Sequence, residues 1–357
     1  MTSEDWRQIE QIYLGASDLA ISERHAYLDR ACAGLPANVR QEIESMLAAD
    51  SANTGFLITP PSRVAADFLA RNPGALTPGE QIRGYEIREL VSMGGMGEVY
   101  RADDLAKGRA VALKMIRRHL IADARAAERF ASEARAAGAL QHVNVVAIYE
   151  FGNSDAGMFI AMEWVDGETW RAIMDARTIA LPEAIAWSTQ AARGLSAAHD
   201  AGVIHRDLKP ENLMLNNKGV VKILDFGLAR HTEAVIADIE SSGASGTISG
   251  TLSGTLSYMP PELFRGESAT SATDVFSLGS VLFELFCGVH PFAGETPLDI
   301  YEAIECRVPE TPSTLRRGIP PEVDRLVLAM LDREREARPR AQEVAAELER
   351  LALRGPA

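Results

Sequence analysis

The most informative part of this sequence reads IHRDLKPENLM over residues 204–214 and continues with DFG over residues 225–227. The residues between the two stretches, centred on NNKG at 216–219, have the pattern of two short strands joined by a turn. Such a β-hairpin would return Asp225 to the neighbourhood of Asp207, eighteen residues earlier. A purely structural polar loop does not explain why two carboxylates, an amide and an ammonium occur at this spacing. The pattern therefore predicts that these groups line one cleft.

A glycine-rich stretch, VSMGGMGEV at residues 91–99, lies among short alternating segments. A Lys107-Gly108 turn and the apolar segment VALK at 111–114 follow it, which together predict a β-hairpin with a glycine tip. No helix follows the glycines and no GxxxxGK[ST] motif is present, so a dinucleotide-binding fold and a P-loop are excluded. The glycines alone are equally compatible with a plain turn. In this context they predict backbone N–H groups folded over phosphates, because a Cβ would obstruct so close an approach.

Lys114 ends an otherwise apolar strand. A lysine at a strand edge is most often solvated, but one that follows Val-Ala-Leu must either reach water or meet an anion. Glu133 lies nineteen residues further on, within the helical pattern of residues 127–140. We predict an ion pair between the two side chains that aims the ammonium at the phosphates of a nucleotide.

The composition is that of a globular protein: 46% of the 357 residues are hydrophobic, 24% are charged, and the formal net charge is −14. This charge makes nucleic acid or an anionic membrane surface an unlikely main partner. The three cysteines are far apart and form neither a disulfide framework nor a zinc pattern. The acidic N-terminus is not a secretory signal, and the apolar run at 275–292 contains Glu284 and is too short for a membrane helix. We expect a cytoplasmic protein without a membrane anchor.

Residues 1–79 are predicted to form a small helical module and a linker. Helical spacing of apolar residues over residues 1–50 indicates three short amphipathic helices, and a further short apolar helix follows. The breakers at 72–74 and 77–79 place a domain boundary near residue 80. Two interpretations remain open for this module: it binds a regulatory partner, or it only stabilises the chain.

Beyond residue 80 the pattern has two parts. Short alternating runs over residues 85–116 predict antiparallel strands, and long helical patterns such as 181–200 dominate afterwards. Strands first and helices later indicate an α+β arrangement and not a parallel α/β sheet.

The sequence resembles the eukaryotic-type (Hanks-type) protein kinase family, in its bacterial serine/threonine branch. The motifs that carry the resemblance span Tyr85 to Leu353: MGGMGEVY at 93–100, HRD at 205–207, DFG at 225–227, Gly254-Thr255, Pro261-Glu262, DVFSLG at 274–279 and Arg338-Pro339. The resemblance implies a bilobal fold over residues 84–353. Its N-lobe, 84–163, would be an antiparallel sheet, and its C-lobe, 164–353, would be mainly helical.

The resemblance also implies a role for each polar group of the cleft. Asp207 is expected to accept the proton of the substrate hydroxyl, and Lys209 to sit against the γ-phosphate. Asn212 and Asp225 are expected to hold Mg²⁺, which prefers oxygen ligands. Lys114 is expected to hold the α- and β-phosphates of ATP.

The nucleotide site implied by the resemblance is large. It comprises Val91, Ser92, Met93, Gly94, Gly95, Met96, Gly97, Glu98, Val99, Ala112, Lys114, Met162, Glu163, Val165 and Met214. Val91, Val99, Ala112 and Met214 would enclose the adenine, Met162 would guard the rear of the pocket, and the backbone of Glu163 and Val165 would hydrogen-bond the base.

Lys209 and Thr255 favour serine or threonine over tyrosine as the acceptor. The segment between residues 227 and 254 is rich in serine, threonine and glycine, and phosphorylation there would pair it with Arg206. We predict autophosphorylation at Thr247, Ser249 or Thr251. A catalytically silent pseudokinase or scaffold is the alternative, and the presence of all the polar groups of the cleft disfavours it.

A few positions depart from the family pattern. Ser92 replaces a loop glycine, Val143 stands where proline is usual, and Pro260 replaces an alanine, although Glu262 is still expected to pair with Arg338. Ala137 is smaller than the apolar residue often found there, which is expected to weaken the packing of its helix on Phe226. None of these changes removes a catalytic atom.

Overall fold

The computed structural model describes residues 76–94, 97–116, 135–226, 256–294 and 296–354, and residues 27, 28, 30–32 and 40 nearer the N-terminus. The chain divides into two compact units, Met1–Ala75 and Leu76–Ala357. In the first unit, residues 27, 28, 30 and 31 are helical, within the second predicted helix, and Leu28 and Cys32 are buried. Residue 40 is also helical, and the other residues of the predicted helices of 1–79 lie outside the described residues, so the all-helical module stays a prediction.

The second unit begins with an antiparallel sheet. Its strands are β1 (Gln81–Ile82), β2 (Tyr85–Gly94), β3 (Gly97–Asp104), β4 (Arg109–Ile116), β5 (Ile148–Ser154) and β6 (Gly157–Glu163). They are ordered β1-β2-β3-β4-β6-β5. The side chains alternate between two faces, and one face buries a cluster that includes Ile87, Tyr100, Leu113 and Phe159. The predicted strands of residues 85–116 are therefore confirmed.

A second, small sheet contains the predicted hairpin. Strands β7 (Gly167–Thr169), β8 (Leu213–Asn216) and β9 (Val221–Ile223) lie side by side in that order. Strands β8 and β9 pair antiparallel, with Leu213 opposite Ile223. The chain thus leaves residues 207–212 and returns directly to Asp225, as the sequence pattern predicts.

The rest of the unit is mainly helical. The helices are α1 (Trp170–Ala176), α2 (Leu181–Asp200), α3 (Pro261–Phe264), α4 (Ser271–Cys287), α5 (Pro297–Cys306), α6 (Pro312–Leu315), α7 (Pro321–Met330) and α8 (Ala341–Arg354), with 3₁₀ turns at Pro210–Asn212 and Arg335–Ala337. They enclose one large apolar core.

Helix α4 is the centre of this core and corresponds to the most apolar run of the sequence. A capping box between Thr270 and Thr273 begins it, and Gly288, with a φ of +75°, ends it in the left-handed conformation that glycine adopts readily. Nearly all of its side chains are buried, so the run is a core helix as expected. Within the described ranges, no helix is both long enough and apolar enough to cross a membrane.

Candidate active site

The turn at residues 207–212 brings three predicted site residues together. The Lys209 ammonium lies 3.0 Å from Oδ2 of Asp207. The amide nitrogen of Asn212 donates to the backbone carbonyl of Asp207 at 2.7 Å and to its Oδ2 at 3.2 Å. These contacts fix the direction of the Asp207 carboxylate. They use only the amide nitrogen of Asn212, so its Oδ1 takes no part in them.

Asp274 holds the backbone immediately before Asp207. Its Oδ2 accepts from the N–H of His205 and its Oδ1 from the N–H of Arg206, each at 2.8 Å, and Nε2 of His199 lies 2.8 Å from Oδ2. The residue has 0% exposure, so these bonds are made away from water. They hold Arg206 at a φ of +70°, which a non-glycine residue rarely adopts.

His205 connects the loop to the segment that carries Asp225. Its Nδ1 accepts from the N–H of Asp207 at 3.3 Å, which puts the ring proton on Nε2, and Nε2 donates to the carbonyl of Leu224 at 2.6 Å. The N–H of Leu224 donates in turn to the carbonyl of Asn212 at 2.9 Å. The His205 ring also meets Phe226 edge to face, with 4.8 Å between centroids. The two motifs therefore form one bonded unit.

Lys114, on strand β4 of the N-terminal sheet, contacts Asp225 of the same site. Its Nζ lies 2.9 Å from Oδ2 of Asp225, and the residue is only 4% exposed. Burial acts to raise the pKa of Asp225, but the ammonium of Lys114, with His205 and Lys209 nearby, outweighs it and holds the pKa below its usual value. Asp225 is thus an ionised carboxylate, held at a φ of +55°.

The donor set fits a divalent cation that prefers oxygen. Oδ1 of Asp225 is buried and has no hydrogen-bond partner among the described residues, and such an orphaned carboxylate oxygen is costly unless a ligand meets it. Among the described ranges, no group of three or more His, Cys, Asp or Glu side chains is placed to hold a metal. One carboxylate and one amide are what Mg²⁺ commonly takes from a protein when phosphates and water complete its shell.

An apolar cluster lies beside these polar groups, at the place of the predicted adenine pocket. Met162, Val165 and Val146 form its buried part, and the half-buried side chains of Ala112, Met214, Ile148 and Leu224 pack against them. Ala112 pairs with Met162 across strands β4 and β6. The four predicted residues Ala112, Met162, Val165 and Met214 are therefore in one cluster. Val146, Ile148 and Leu224 were not predicted, since single apolar residues in loops and strands carry no local signal.

The glycine-rich hairpin is formed by strands β2 and β3. Val99 faces Lys114 across strands β3 and β4, and Ser92 faces Val99 across β2 and β3. The register shifts at Val91, which is 46% exposed, as is typical of a β-bulge. A Cβ at Gly97 would lie 1.7 Å from the carbonyl oxygen of Met115, so only glycine fits there.

The remaining predicted residues of the hairpin are placed as follows. Met93 pairs with Glu98 and is exposed, and Gly94 pairs with Gly97 at the end of the hairpin. Gly95 and Met96, at the tip, lie outside the described residues. So do Glu133, Thr247, Ser249, Thr251 and Thr255, and their roles stay predictions.

The linker that follows β6, residues 164–166, is held in place through Glu163, the last residue of that strand. Oε2 of Glu163 accepts from Nζ of Lys222 at 2.8 Å and from the N–H of Ala147 at 3.2 Å. The backbone N–H of Glu163 donates to the carbonyl of Ala147 at 2.8 Å. The side chain thus anchors the linker while Val165, beyond it, packs in the apolar pocket.

An ionic cluster lies beneath the turn at 207–212. Arg171 contacts Glu211 at 3.3 Å and Glu284 at 2.9 Å, and donates to the hydroxyl of Tyr258 at 2.6 Å. The Tyr258 hydroxyl donates to Glu284. Burial acts to raise the pKa of Glu284, but the hydrogen bonds from Arg171 and Tyr258 outweigh it and lower the pKa. No local sequence pattern indicates this cluster, because its members are far apart along the chain.

The expected pair between Glu262 and Arg338 is confirmed. Two hydrogen bonds of 2.7 and 2.8 Å join the side chains, and both side chains are buried. Arg338 also donates to the carbonyls of Asp332, Ala272 and Arg333. Ala137, the small residue noted above, is buried in the same core cluster as Phe226.

Comparison with known proteins defines the class of this fold and site. The family model described as "Protein kinase domain" matches residues 85–348. The chain therefore belongs to the protein kinase domain family.

Individual relatives are bacterial. Serine/threonine-protein kinase PknB of Mycobacterium tuberculosis (strain H37Rv) is 38% identical over 267 residues, which cover 73% of this chain and 42% of that protein. The probable serine/threonine-protein kinase PknB of Corynebacterium glutamicum is 36% identical over 279 residues, 75% of this chain and 42% of the relative. The chain thus aligns with less than half the length of these curated relatives.

A solved structure agrees on the fold. The kinase domain of Mycobacterium tuberculosis PknI superposes with a TM-score of 0.60 at 24% identity, over 78% of this chain and 99% of the other. The predicted bilobal protein kinase fold is confirmed.

Proposed function

We propose that this protein is a serine/threonine protein kinase that transfers the γ-phosphate of ATP to hydroxyl groups of proteins. The observation that carries the proposal is the convergence of Asp207, Lys209 and Asn212 with the Lys114–Asp225 pair. The relatives named serine/threonine kinases, together with Lys209 and Thr255, support serine or threonine as the acceptor.

Asp207 is proposed to accept the hydrogen bond, and then the proton, of the attacking hydroxyl. Its carboxylate is oriented by Asn212 and Lys209, and this fixed direction places the hydroxyl in line with the transferred phosphorus. Lys209, 3.0 Å from Asp207, brings a positive charge to the point where the γ-phosphate arrives. Positioning and charge neutralisation, rather than covalent chemistry, supply the acceleration.

Asn212 and Asp225 are proposed to hold Mg²⁺, which neutralises charge on the phosphates when bound. The buried, unpartnered Oδ1 of Asp225 supports this assignment. Lys114 is proposed to turn from Asp225 toward the α- and β-phosphates, with Glu133 holding its other side. The adenine is proposed to lie between Ala112 and Met214.

A phosphotransfer assay tests the proposal. Protein with an Asp207→Asn substitution keeps the size of the side chain but loses the base, and we expect kcat to fall by about 10²–10⁴-fold while nucleotide binding persists. A pseudokinase would give wild-type protein that binds nucleotide but transfers no phosphate to itself or to a generic acceptor. The intact set of polar groups disfavours that alternative.

Regulation by autophosphorylation is a second part of the proposal. Thr247, Ser249 and Thr251 are the proposed sites, and Arg206 is the proposed partner of the added phosphate, because a guanidinium pairs well with a dianion. Mass spectrometry of protein incubated with ATP is expected to find phosphate within residues 241–253 of wild type and none in the Asp207→Asn variant. Phosphate found only elsewhere contradicts this part.

The division into a module at 1–79 and a kinase domain at 84–353 is likewise proposed, together with a cytoplasmic location. Deletion of residues 1–78 separates the two interpretations of the module. A module that only stabilises the chain would leave an active but less soluble enzyme, whereas a regulatory module would change the specific activity.

A further inference from the structure

Arg101 and Trp164 form a contact between the sheet and the linker that the proposed chemistry does not use. The guanidinium carbon of Arg101 lies over the Trp164 ring, 5.3 Å from its centroid. Trp164 stands between Glu163 and Val165, whose backbone is proposed to bind the adenine, so this inference rests on the proposed function. The contact therefore touches the element on which nucleotide binding depends.

The strand geometry places Arg101 at the rim of the apolar pocket. Along β3, Tyr100 and Ala102 are buried in the core of the sheet, so Arg101 points to the opposite face. Ala112 lies directly opposite Arg101 on β4 and shares that face. Because Ala112 packs against the apolar cluster that contains Val165, Arg101 lies on the face of the sheet that borders this cluster.

The ion pair of Arg101 with Glu89 does not explain why the guanidinium lies over Trp164. Nη1 of Arg101 lies 3.5 Å from Oε1 of Glu89, and the two side chains are 44% and 58% exposed. An exposed ion pair of this length contributes little, and it joins only neighbouring strands. The ring contact is the one that connects the sheet to the linker.

We propose that the Arg101–Trp164 stack is a positioning contact that holds the linker against the sheet and thereby sets the affinity for the adenine base. Neither side chain is catalytic in this proposal. An exposed cation–π contact corresponds to about a two- to five-fold change in the dissociation constant. Because the contact acts through the linker, the change is the same for adenosine, ADP and ATP, and kcat at saturating ATP is unchanged.

Isothermal titration calorimetry of the full chain with adenosine and with ADP tests this. Arg101→Ala and Trp164→Leu are each expected to raise Kd by about two- to five-fold for both ligands. The double variant is expected to be no weaker than the weaker single variant, because both remove one interaction. Trp164→Tyr, which keeps an aromatic ring, is expected to retain most of the affinity.

Two matched controls separate the stack from general charge effects. Glu89→Gln removes the ion pair and keeps the stack, and Arg88→Ala removes an exposed arginine of the same sheet that pairs only with Glu86 and Asp103 in the described structure. Both variants are expected to bind adenosine and ADP as the wild type does.

The proposal is overturned if Arg101→Ala weakens ADP but not adenosine, since Arg101 would then act directly on the phosphates. It is equally overturned if the losses of binding free energy in Arg101→Ala and in Trp164→Leu add in the double variant. Wild type that binds neither ligand would instead refute the proposed function itself. Arg101 is exposed, so its variants are expected to fold, and the two ligands measured on Arg101→Ala decide the question even if Trp164→Leu does not fold.

Discussion

Two ion pairs, one in each lobe, lie in opposite environments. In the N-terminal sheet, Arg88 pairs with Glu86 and Asp103 on the solvent face, while the core beneath is apolar. In the helical lobe, Arg338 and Glu262 pair inside the core. A surface pair is adjustable and weak, whereas a buried pair that keeps all its hydrogen bonds holds one geometry.

The difference between the surface pair and the buried pair corresponds to the part of the proposed site that each lobe contains. The turn that orients Asp207 stands on the buried network of Asp274, which accepts from two backbone N–H groups. The hairpin at residues 91–99 has a bulge at Val91, and Val91 and Met93 are exposed. The comparison favours a rigid platform for the proposed acceptor side and an adjustable segment at the proposed nucleotide site.

The largest effect is expected from breaking the buried pair. Glu262→Ala leaves the Arg338 charge buried without its partner, and we expect the free energy of unfolding to fall by about 3–5 kcal/mol. Urea denaturation measures the loss. The double variant Glu262→Leu with Arg338→Met removes both charges and is expected to recover part of it. A loss below about 1 kcal/mol for Glu262→Ala would show that the pair behaves like a surface pair.

The next effect concerns activity. Asp274→Asn keeps the shape of the side chain but replaces one acceptor oxygen by a donor, which conflicts with one of the two backbone N–H groups, that of His205 or that of Arg206. The turn that carries Asp207 is then displaced, and we expect kcat to fall by about 10²-fold while KM for ATP changes little. Steady-state kinetics measures both values. Equal changes in kcat and KM would indicate that the platform also determines nucleotide binding.

A smaller effect depends on pH. Burial lowers the pKa of His290 from 6.5 to about 4, with Glu284 acting to raise it and Arg171 to lower it. The unfolded chain therefore takes up a proton at a higher pH than the folded chain. Above pH 6.5 the titration of His290 does not change the free energy of unfolding. The free energy of unfolding falls as the pH drops from there toward about 4.

His290→Gln removes this titration. Between pH 6.5 and about 4, we expect the wild type to lose about 1–3 kcal/mol more than the variant. Urea denaturation at a series of pH values measures the difference. Parallel pH curves for the two proteins would mean that His290 is solvated in the folded state.

The smallest effect is expected on the sheet. Arg88→Ala removes two exposed ion pairs, and we expect a small loss of stability that disappears in high salt. Urea denaturation at low and high ionic strength measures it. A salt-independent loss as large as that of Glu262→Ala would remove the contrast between the two pairs.

Much of the fold was predictable from local patterns. The turn residues at 216–219 and the apolar residues on either side predict the β8–β9 hairpin. The apolar run at 275–292 contains most of helix α4. The polar groups of the site were predictable for the same reason, since Asp207, Lys209 and Asn212 are close in sequence.

Other parts of the site could not be predicted. Asp274 stands in an apolar helix 69 and 68 residues from the two N–H groups that it binds, and no local pattern connects them. Lys222 and Glu163 are 59 residues apart, and Arg101 and Trp164 meet only because a strand and a linker are adjacent in the fold.

The sequence by itself determined most of the elements and which polar groups are proposed to act in the site, because turn chemistry, hydrophobic periodicity and short motifs act over a few residues. Only the tertiary structure decided which buried partners hold those groups, such as Asp274 beneath the turn and Glu163 behind the linker. The reason is burial. A polar group that is removed from water needs a hydrogen-bond partner, and the packing of distant segments determines which partner lies within hydrogen-bond distance.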